Sequence, residues 1–268
     1  MTDTLAPEVG RAPVSQQGLN VPTSTETTAI GALVSASING VETKVPIGTS
    51  ILDAARSLGV KIPTLCHLEG VYDVGACRLC LVEIAGVPKL MSACTTRVRE
   101  GMEVTTNSER LQKYRRMTLE LLFAERNHIC AFCVCNGHCE LQTTAYQLGM
   151  DHVRYDYCYP KWEVDASHRL FAMDHNRCIL CTRCVRACWQ IEGAGTRNVS
   201  GRGGHSRIIT DLNDQWGASE TCTSCGKCVM ACPTGALFHQ GSTAAEMQRD
   251  RTKLEFIVNA REKKQWSV

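Results

Sequence analysis

The chain has 268 residues, of which 44% are hydrophobic and 21% are charged, so it is long enough to bury a core and to form two or three small domains. Its 29 basic and 27 acidic residues leave a formal charge of +2 and form no long basic run, which argues against a nucleic-acid partner. No stretch approaches the roughly 18 apolar residues of a membrane span, and residues 1–28 lack the order of a signal peptide. We therefore expect a cytoplasmic protein without a membrane span.

Cysteine departs most from an ordinary composition, with 17 residues in the chain. A secreted disulfide framework would favour an even count, a shorter chain and an export signal, and the sequence offers none of these. Thiolates are also the ligands of zinc and of iron-sulfur clusters. Metal ligation is therefore the leading interpretation of the cysteines before any motif is considered.

The chain begins with a polar segment, residues 1–28, that contains three prolines, many Ser and Thr residues and no apolar period. This composition predicts a flexible leader, with a partner-binding arm as the alternative. After it, two short alternating runs flank Asn39 and Gly40. An Asn-Gly pair in this setting predicts a hairpin with a type I′ turn.

A short helix and further strands complete the first predicted domain. The helix begins after Thr49 or Ser50 as its cap and ends at Gly59. Its apolar residues recur at helical spacing: Ile51, Ala55 and Leu58. The strand-like runs LCLVEIAG and KLMSACTTRV follow. We therefore expect residues 29–107 to form a β-grasp domain, a small sheet that holds one helix, within a chain of the α+β class.

Residues 108–165 are predicted to form a helical second domain. A helix is expected over Ser108–Arg126, with an apolar face formed by Leu111, Tyr114, Met117 or Thr118, Leu121 and Leu122. It leads into a loop dense in Cys and His, which we expect to be irregular except for a helix near Glu140–Leu148.

The last two segments are a cysteine repeat and a charged tail. Residues 166–241 contain the same cysteine spacing twice, which is an internal repeat. Residues 242–268 are predicted to form a helix that opens with a capping box of Thr243 and Glu246. The tail has a thin apolar stripe: Met247, Leu254, Ile257 and Val258. We expect this stripe to dock either on the parent domain or on a partner.

The repeat is the most specific signal in the sequence, because the pattern C-x2-C-x2-C-x3-C occurs twice. In two-cluster ferredoxins the fourth cysteine of each motif ligates the other cluster. The first predicted [4Fe-4S] site therefore comprises Cys178, Cys181, Cys184 and Cys232. The second comprises Cys222, Cys225, Cys228 and Cys188. Two zinc sites are the alternative, but structural zinc sites typically use two separated cysteine pairs or a mixture of Cys and His.

Two further cysteine sets precede the repeat. Cys66, Cys77, Cys80 and Cys94 have the spacing C-x10-C-x2-C-x13-C, which is longer in its first gap than the plant-type [2Fe-2S] pattern. Gly75 and Ala76 allow a close backbone approach before the central pair, so a [2Fe-2S] cluster is favoured over a set of structural cysteines.

The middle set has three thiols and needs one more ligand. Cys130, Cys133 and Cys139 follow the pattern C-x2-C-x5-C. The candidates for the fourth ligand of this [4Fe-4S] site are Cys135, His128 and His138. A histidine would raise the reduction potential, by analogy with two-iron centres that have histidine ligands.

Together these motifs resemble a known family. The phrases IPTLCHLEG, GACRLCLVE, NHICAFC, NGHCELQ, DHNRCILCTRCVRAC and CTSCGKCVMACPTG are similar to the diaphorase iron-sulfur subunit of bidirectional, NAD-linked nickel-iron hydrogenases. They resemble more distantly the N-terminal part of the large iron-sulfur subunit of complex I. The resemblance covers roughly residues 30–265 and leaves out only the leader.

The resemblance also bears on the fourth middle ligand. Complex I members place the ligand histidine in an H-x3-C spacing, where this chain has Arg126, whereas His128 stands in an H-x-C spacing. The resemblance therefore implies His128 as the ligand, with Cys135 as its main rival. Cys135 and Cys158 are then left as free thiols.

Electron transfer is the function that these features predict. The sequence has no G-x-G-x-x-G between a strand and a helix and no P-loop, so we expect no bound NAD or flavin and no catalytic residue in this chain. The resemblance implies a relay between a flavin-bearing NADH dehydrogenase subunit and the small and large nickel-iron hydrogenase subunits, with a further small [2Fe-2S] subunit as a possible partner. The alternatives are the same relay in a formate dehydrogenase or complex I, and a free ferredoxin carrier or redox sensor.

Cluster charge is expected to reverse the sign of the protein's charge. One [2Fe-2S] and three [4Fe-4S] clusters would add roughly −7 to the formal +2. Arg177, Arg183 and Arg186 flank the first repeat motif, where they either offset this charge locally or form a solvated basic edge.

Overall fold

The computed structural model describes residues 32–249. The predicted leader, residues 1–28, lies outside this range. The first part of the described chain is a five-stranded sheet in the order β2-β1-β5-β3-β4, in which β1 and β5 are parallel and the other neighbours are antiparallel. The strands are β1 Leu33–Ile38, β2 Val41–Pro46, β3 Leu81–Ile84, β4 Val87–Ser92 and β5 Met102–Thr105.

The local signals that predicted the hairpin and the first helix are confirmed. Asn39 and Gly40 have φ values of 53° and 81°, as both central residues of a type I′ turn require. Helix α1 spans Ile51–Ser57, and the hydroxyl of Ser50 caps it by accepting a hydrogen bond from the backbone of Asp53 at 3.1 Å. The helix packs its apolar face against the sheet to form a core of small and branched side chains.

Helix α2 spans Glu109–Glu125, but the predicted apolar face is wrong in part. Leu111 is buried as expected, whereas Tyr114 and Leu121 are 39% and 47% exposed. The buried residues of the helix are Leu111, Arg115, Leu119, Glu120 and Ala124. Arg115 can lie inside because its guanidinium donates to three backbone carbonyls, those of Leu79, Leu81 and Thr106.

The segment after α2 is irregular, as predicted, except for one 3-10 turn and one helix. The turn spans Cys130–Phe132, and helix α3 spans Glu140–Gln147. The backbone N–H of Glu140 donates to Pro233 O at 3.0 Å, so the start of α3 is tied to the far end of the cysteine repeat.

The repeat region combines two small sheets with two short helices. A three-stranded antiparallel sheet has the order β10-β7-β6, and β8 pairs with β9. The strands are β6 Val164–Asp165, β7 Phe171–Asp174, β8 Arg197–Ser200, β9 Arg207–Thr210 and β10 Leu237–His239. Helix α4 spans Arg183–Arg186 and continues as a π-helical turn over Ala187–Glu192, and helix α5 spans Lys227–Ala231.

The predicted C-terminal helix is wrong over residues 242–249, which contain no helix. Glu246 accepts a hydrogen bond from the backbone of Thr243 at 2.7 Å, as in a capping box, but only a turn follows. The chain instead runs along the middle loop, where the N–H groups of Ala245 and Met247 donate to Cys133 O and Val134 O. These contacts remove the backbone from helical pairing. The rest of the predicted helix lies outside the described residues.

Most of the cysteines lie in one continuous core that also contains the apolar side chains of α2, α3 and the repeat. The part of the chain that the structure describes has no helix long and apolar enough to cross a membrane.

Candidate iron-sulfur cluster sites

All 17 cysteines lie within the described residues and none forms a disulfide. Thirteen of them are buried. The four that are not fully buried are Cys130, Cys158, Cys222 and Cys225. So many buried cysteines outside any disulfide, grouped in threes and fours, indicate ligation of a metal or cluster.

The N-terminal site is formed by Cys66, Cys77, Cys80 and Cys94, all of which are buried. Cys80 and Cys94 belong to the core of the sheet and α1, and Cys66 and Cys77 belong to the core that contains most of the other cysteines. The sulfur atoms of Cys80 and Cys94 are 3.5 Å apart, and the N–H of Leu65 donates to the sulfur of Cys77 at 3.4 Å. Hydrogen bonds with Cys77 and Cys94 lower the pKa of the Cys66 thiol well below its usual range. The same contacts with Cys66 raise the pKa of the Cys77 and Cys94 thiols. The four sulfur atoms thus lie close enough together in a buried space to surround one cluster.

The loop that carries the central pair of this site is shaped for close approach. Gly75 has a φ of +62°, and a Cβ there would lie 3.3 Å from the methyl group of Thr95. Arg78, between Cys77 and Cys80, is also left-handed, with a φ of 52°. Alternating right- and left-handed residues turn successive N–H groups to one side and form an anion-binding concavity.

The middle site is a cavity lined by Cys130, Cys133, Cys139 and His128. Neither Cys135 nor His138, the other candidates for the fourth ligand, is among its lining residues. The Nε2 of His128 is buried and has no hydrogen-bond partner within the described residues. Burial, followed by the charge of Arg177, lowers the pKa of His128 to about 4, so the imidazole is neutral and able to bind a metal.

Cys135 has a different environment. Its side chain is fully buried, and its sulfur lies 3.9 Å from the carbonyl oxygen of Thr234. Burial raises the pKa of the Cys135 thiol, and Arg249 opposes the rise. The structure therefore places Cys135 beside the middle site and His128 on its wall, while Cys158 is exposed.

The first repeat site is a cavity lined by the predicted set Cys178, Cys181, Cys184 and Cys232. The second repeat site is a cavity lined by the predicted set Cys188, Cys222, Cys225 and Cys228. Each cavity thus contains three cysteines of one motif and the fourth cysteine of the other. Helix α4 and its π-helical continuation produce this exchange by carrying Cys184 and Cys188 to different cavities.

The two repeat motifs also share an unusual backbone. Leu180 and Thr182 have φ values of 51° and 57°, and the equivalent residues of the second motif, Ser224 and Gly226, have 56° and 71°. Non-glycine residues adopt such values rarely, so their recurrence at matched positions is a feature of the loop rather than an accident. Left-handed residues at such positions are typical of loops whose N–H groups form a concavity for an anionic group.

The thiols of the middle and repeat sites share one electrostatic environment. Burial raises the pKa of the Cys139 and Cys178 thiols to about 12 and that of Cys228 to about 11. Free thiols in these places stay protonated at neutral pH, and a metal is what makes them thiolates. The donors present, thiols and one neutral imidazole, therefore fit iron-sulfur clusters as their ligands.

The arginines around the first repeat site are not a solvated edge. Arg183 and Arg186 are 3% and 1% exposed, so that alternative is wrong for both. Arg183 forms a bidentate pair with Glu140 at 2.9 Å. Arg186 donates to backbone carbonyls. The Nε of Arg177 lies 3.4 Å from the Oδ2 of Asp174. Positive charge is thus held inside the protein, next to the thiols.

Several residues that line these sites were not predicted from the sequence. Thr234 and Gly235 line the middle cavity, and Thr234 also lines the first repeat site. The Pro-Thr-Gly that follows Cys232 could have identified them. Arg197 is buried over the ring of Trp216, 3.7 Å from its centroid, and lines the second repeat site. An open groove lined by residues of β6, β8 and β9 contains no cysteine.

Comparison with known families agrees with this arrangement. Residues 31–109 match a model described as a 2Fe-2S iron-sulfur cluster binding domain. Residues 115–154 match the NADH-ubiquinone oxidoreductase-G iron-sulfur binding region, and residues 169–238 match the ferredoxin-like domain of NADH-quinone oxidoreductase subunit 3. A 2Fe-2S domain followed by 4Fe-4S and ferredoxin-like domains is thus present.

Individual relatives include subunits of several oxidoreductases. The chain is 42% identical over 205 residues to the NADPH-Fe(3+) oxidoreductase subunit alpha of Geobacter sulfurreducens, which covers 76% of this chain and 24% of that protein. It is 36% identical over 214 residues to the NADP-reducing hydrogenase subunit HndD of Solidesulfovibrio fructosivorans, which covers 77% of this chain and 36% of that protein. The chain therefore spans about a quarter to a third of the length of these curated relatives.

A solved structure covers most of both chains. It is a chain from a crystal structure of NAD+-reducing [NiFe]-hydrogenase in the H2-reduced state, 36% identical with a TM-score of 0.68, and the match covers 79% of this chain and 89% of that one. The motifs, the fold and this likeness establish the family: the chain belongs to the iron-sulfur proteins of NAD(P)-linked hydrogenases and complex I-type oxidoreductases.

Proposed function

We propose that this chain is the electron-relay subunit of the diaphorase module of an NAD-reducing nickel-iron hydrogenase. It would pass single electrons between a flavin-bearing NADH dehydrogenase subunit and the small and large hydrogenase subunits, with a further small [2Fe-2S] subunit as an additional partner. Iron-sulfur clusters supply the one-electron chemistry when they are bound. The chain's own residues hold, orient and shield them from water.

The observation that carries this proposal is that 15 cysteines and His128 gather at four adjacent places. The N-terminal site holds the two-iron cluster through Cys66, Cys77, Cys80 and Cys94. The middle site holds a four-iron cluster through His128, Cys130, Cys133 and Cys139. Cys178, Cys181, Cys184 and Cys232 hold the next, and Cys188, Cys222, Cys225 and Cys228 hold the last.

Neighbouring sites are joined by single residues or short segments, which supports a relay rather than separate structural centres. Thr234 lines both the middle site and the first repeat site. Only the three residues after Cys184 separate it from Cys188 of the second repeat site. A free ferredoxin carrier needs one or two such sites, not four.

Hydride transfer and single-electron transfer require different cofactors. A nicotinamide transfers two electrons as hydride and a cluster accepts one, so a flavin is the usual converter. The sequence has no dinucleotide fingerprint. Hydride chemistry is therefore assigned to a partner subunit.

The test uses the full chain, purified anaerobically. We expect about 14 irons per chain, from one two-iron and three four-iron clusters, and no cluster reduction by NADH until the flavin subunit is added. Rapid bleaching by NADH with no flavin present would contradict the proposal, and so would eight irons or fewer after reconstitution.

A second candidate is the same relay in a different complex. The 42% identity to a subunit of NADPH-Fe(3+) oxidoreductase favours an NAD(P)-linked enzyme without a hydrogenase, of the formate dehydrogenase or complex I type. Native mass spectrometry of the complex purified through this chain separates the two. Co-purification of nickel-iron hydrogenase subunits supports the first candidate, and their absence from an intact complex supports the second.

A further inference from the structure

Arg186 joins the N-terminal site to the first repeat site. Its guanidinium is 1% exposed, and its Nη1 donates to the carbonyl oxygen of Tyr72 at 2.8 Å. Its Nη2 donates both to the carbonyl oxygen of Cys181, at 3.1 Å, and to that of Cys66. Cys66 and Cys181 are proposed ligands of two different clusters, so a single nitrogen atom connects the backbones of two ligand loops that are 115 positions apart in the chain.

Within the described part of the chain, no carboxylate forms an ion pair with Arg186. By contrast, Arg183, three positions earlier, is neutralised by Glu140 at 2.9 Å. Burying a cation is costly unless opposite charge or strong dipoles lie near it. Three carbonyl dipoles supply part of this compensation at Arg186. Anionic thiolate-bound clusters on either side would supply the remainder.

Arg115 offers a comparison within the same chain. It is also buried and also donates to three carbonyls, at 2.6 to 3.1 Å. All three belong to the N-terminal domain, those of Leu79, Leu81 and Thr106. Leu79 lies between two cysteines of the N-terminal site, so Arg115 ties helix α2 to one site only. Arg186 differs because its acceptors belong to the ligand loops of two sites. A purely structural role does not require that the acceptors of Arg186 lie in the ligand loops of two different sites.

We propose that Arg186 is a positioning residue of the relay. It holds the loops of Cys66 and Cys181 in fixed positions relative to each other and places a positive charge between the two sites. This inference rests on the function proposed above. A fixed cation stabilises the extra negative charge of a reduced cluster. Arg186 therefore raises the reduction potentials of the N-terminal and first repeat sites together and leaves the middle and second repeat sites less affected.

The test is a redox titration, followed by electron paramagnetic resonance, of the anaerobically purified full chain. In Arg186→Gln we expect the ratio of reduced to oxidised cluster, at a fixed potential, to fall about tenfold at the N-terminal and first repeat sites, which is about 59 mV for a one-electron couple. Arg186→Lys keeps the charge but lacks the two guanidinium nitrogens that donate to the three carbonyls. We expect it to shift the reduction potentials of the same two sites in the same direction, but by less. Arg110→Gln is the matched charge control, because the Arg110 side chain is 49% exposed.

The outcomes separate this inference from the proposed function. Unchanged potentials in Arg186→Gln, with both clusters loaded, overturn the role of Arg186 and leave the relay standing. An equal shift at all four sites also overturns it, since it indicates a general loosening of the core. Where Arg186→Gln does not load both clusters, Arg186→Lys decides by the same two criteria. A wild-type chain that lacks either cluster contradicts the relay and this inference together.

Discussion

Gly235 lies directly against the thiol of Cys133: a Cβ at position 235 would overlap the sulfur, and it would lie 3.6 Å from the Cδ of Arg177. Both residues line the cavity of the middle site. Glycine is therefore required here for space, because any side chain would occupy the volume that the thiols and His128 surround.

The first prediction concerns this contact. Gly235→Ala is expected to displace Cys133 and to prevent the middle cluster from forming, so that iron analysis of the anaerobically purified chain gives about four irons fewer per chain. The spectra of the other three clusters should remain. Gly204→Ala is the control, because nothing lies within 4 Å of a Cβ at that exposed glycine. A full complement of iron in Gly235→Ala would show that the cavity is not where the cluster binds.

The second prediction concerns the fourth ligand of the middle site. Because the imidazole of His128 is neutral, with a pKa lowered to about 4, it leaves a cluster less negative than a thiolate would. Less negative charge favours the reduced form. His128→Cys is therefore expected to keep the cluster and to lower its reduction potential, as measured by redox titration.

Cys135→Ser is the matched variant for this prediction. Cys135 is buried beside the site but does not line its cavity, so the change should leave both the iron content and the potential in place. If Cys135→Ser instead loses the cluster while His128→Cys has no effect, then the ligand is Cys135.

The third prediction follows from the crossed cysteines of the repeat. Cys188 lines the cavity of Cys222, Cys225 and Cys228, although it is nearer in sequence to Cys184. Cys188→Ser should therefore damage the cluster of the second repeat site and spare that of the first. The measurement is the loss of one four-iron signal and its assignment by comparison with Cys222→Ser. Matching spectra for Cys188→Ser and Cys181→Ser would contradict the crossing.

The sequence predicted best those features that depend on neighbouring residues. Asn39-Gly40 specified its turn, and Ser50 specified the start of α1, because both act through local backbone geometry. The cysteine spacing also predicted which residues share the two repeat cavities, although Cys232 and Cys188 are distant in the chain from the other members. A cluster imposes a fixed loop, and a fixed loop leaves its pattern in the sequence.

Features that depend on long-range contacts could not be predicted in this way. Arg115 and Glu120 are buried on α2 while the apolar Leu121 is half exposed. Periodicity treats every charged residue as outward-facing, but Arg115 finds three carbonyls inside and Glu120 pairs with Arg154 at 2.8 Å. The helix predicted over residues 242–249 is wrong for a similar reason, because Met247 is buried and its backbone N–H donates to the carbonyl oxygen of Val134 in the middle loop.

The last prediction concerns pH and His175, which lies three residues before Cys178 at the edge of the repeat. Its Nδ1 is buried without a hydrogen-bond partner among the described residues, and the ring lies 6.2 Å from that of Trp162. Burial lowers the pKa of His175 to about 4, and the charges of Arg207, Arg197 and Arg126 add to this effect. The folded protein therefore resists protonation of this ring.

The sign of the pH dependence follows from linkage. Above about pH 6.5 the ring is neutral in both the folded and the unfolded chain, so it contributes nothing to the pH dependence. Between pH 6.5 and 4 the unfolded chain binds a proton that the folded chain does not, so stability falls as the pH falls. The loss of stability is at most about 3 kcal/mol, and solvent screening of the partly buried ring reduces it further.

We expect His175→Gln to lose less thermal stability than the wild type between pH 7 and pH 5, measured on the anaerobic holoprotein at each pH. His205→Gln, which changes an exposed histidine, should follow the wild type. Because acid lability of the clusters affects all three proteins alike, parallel curves for His175→Gln and the wild type would show that His175 is not the buried neutral group.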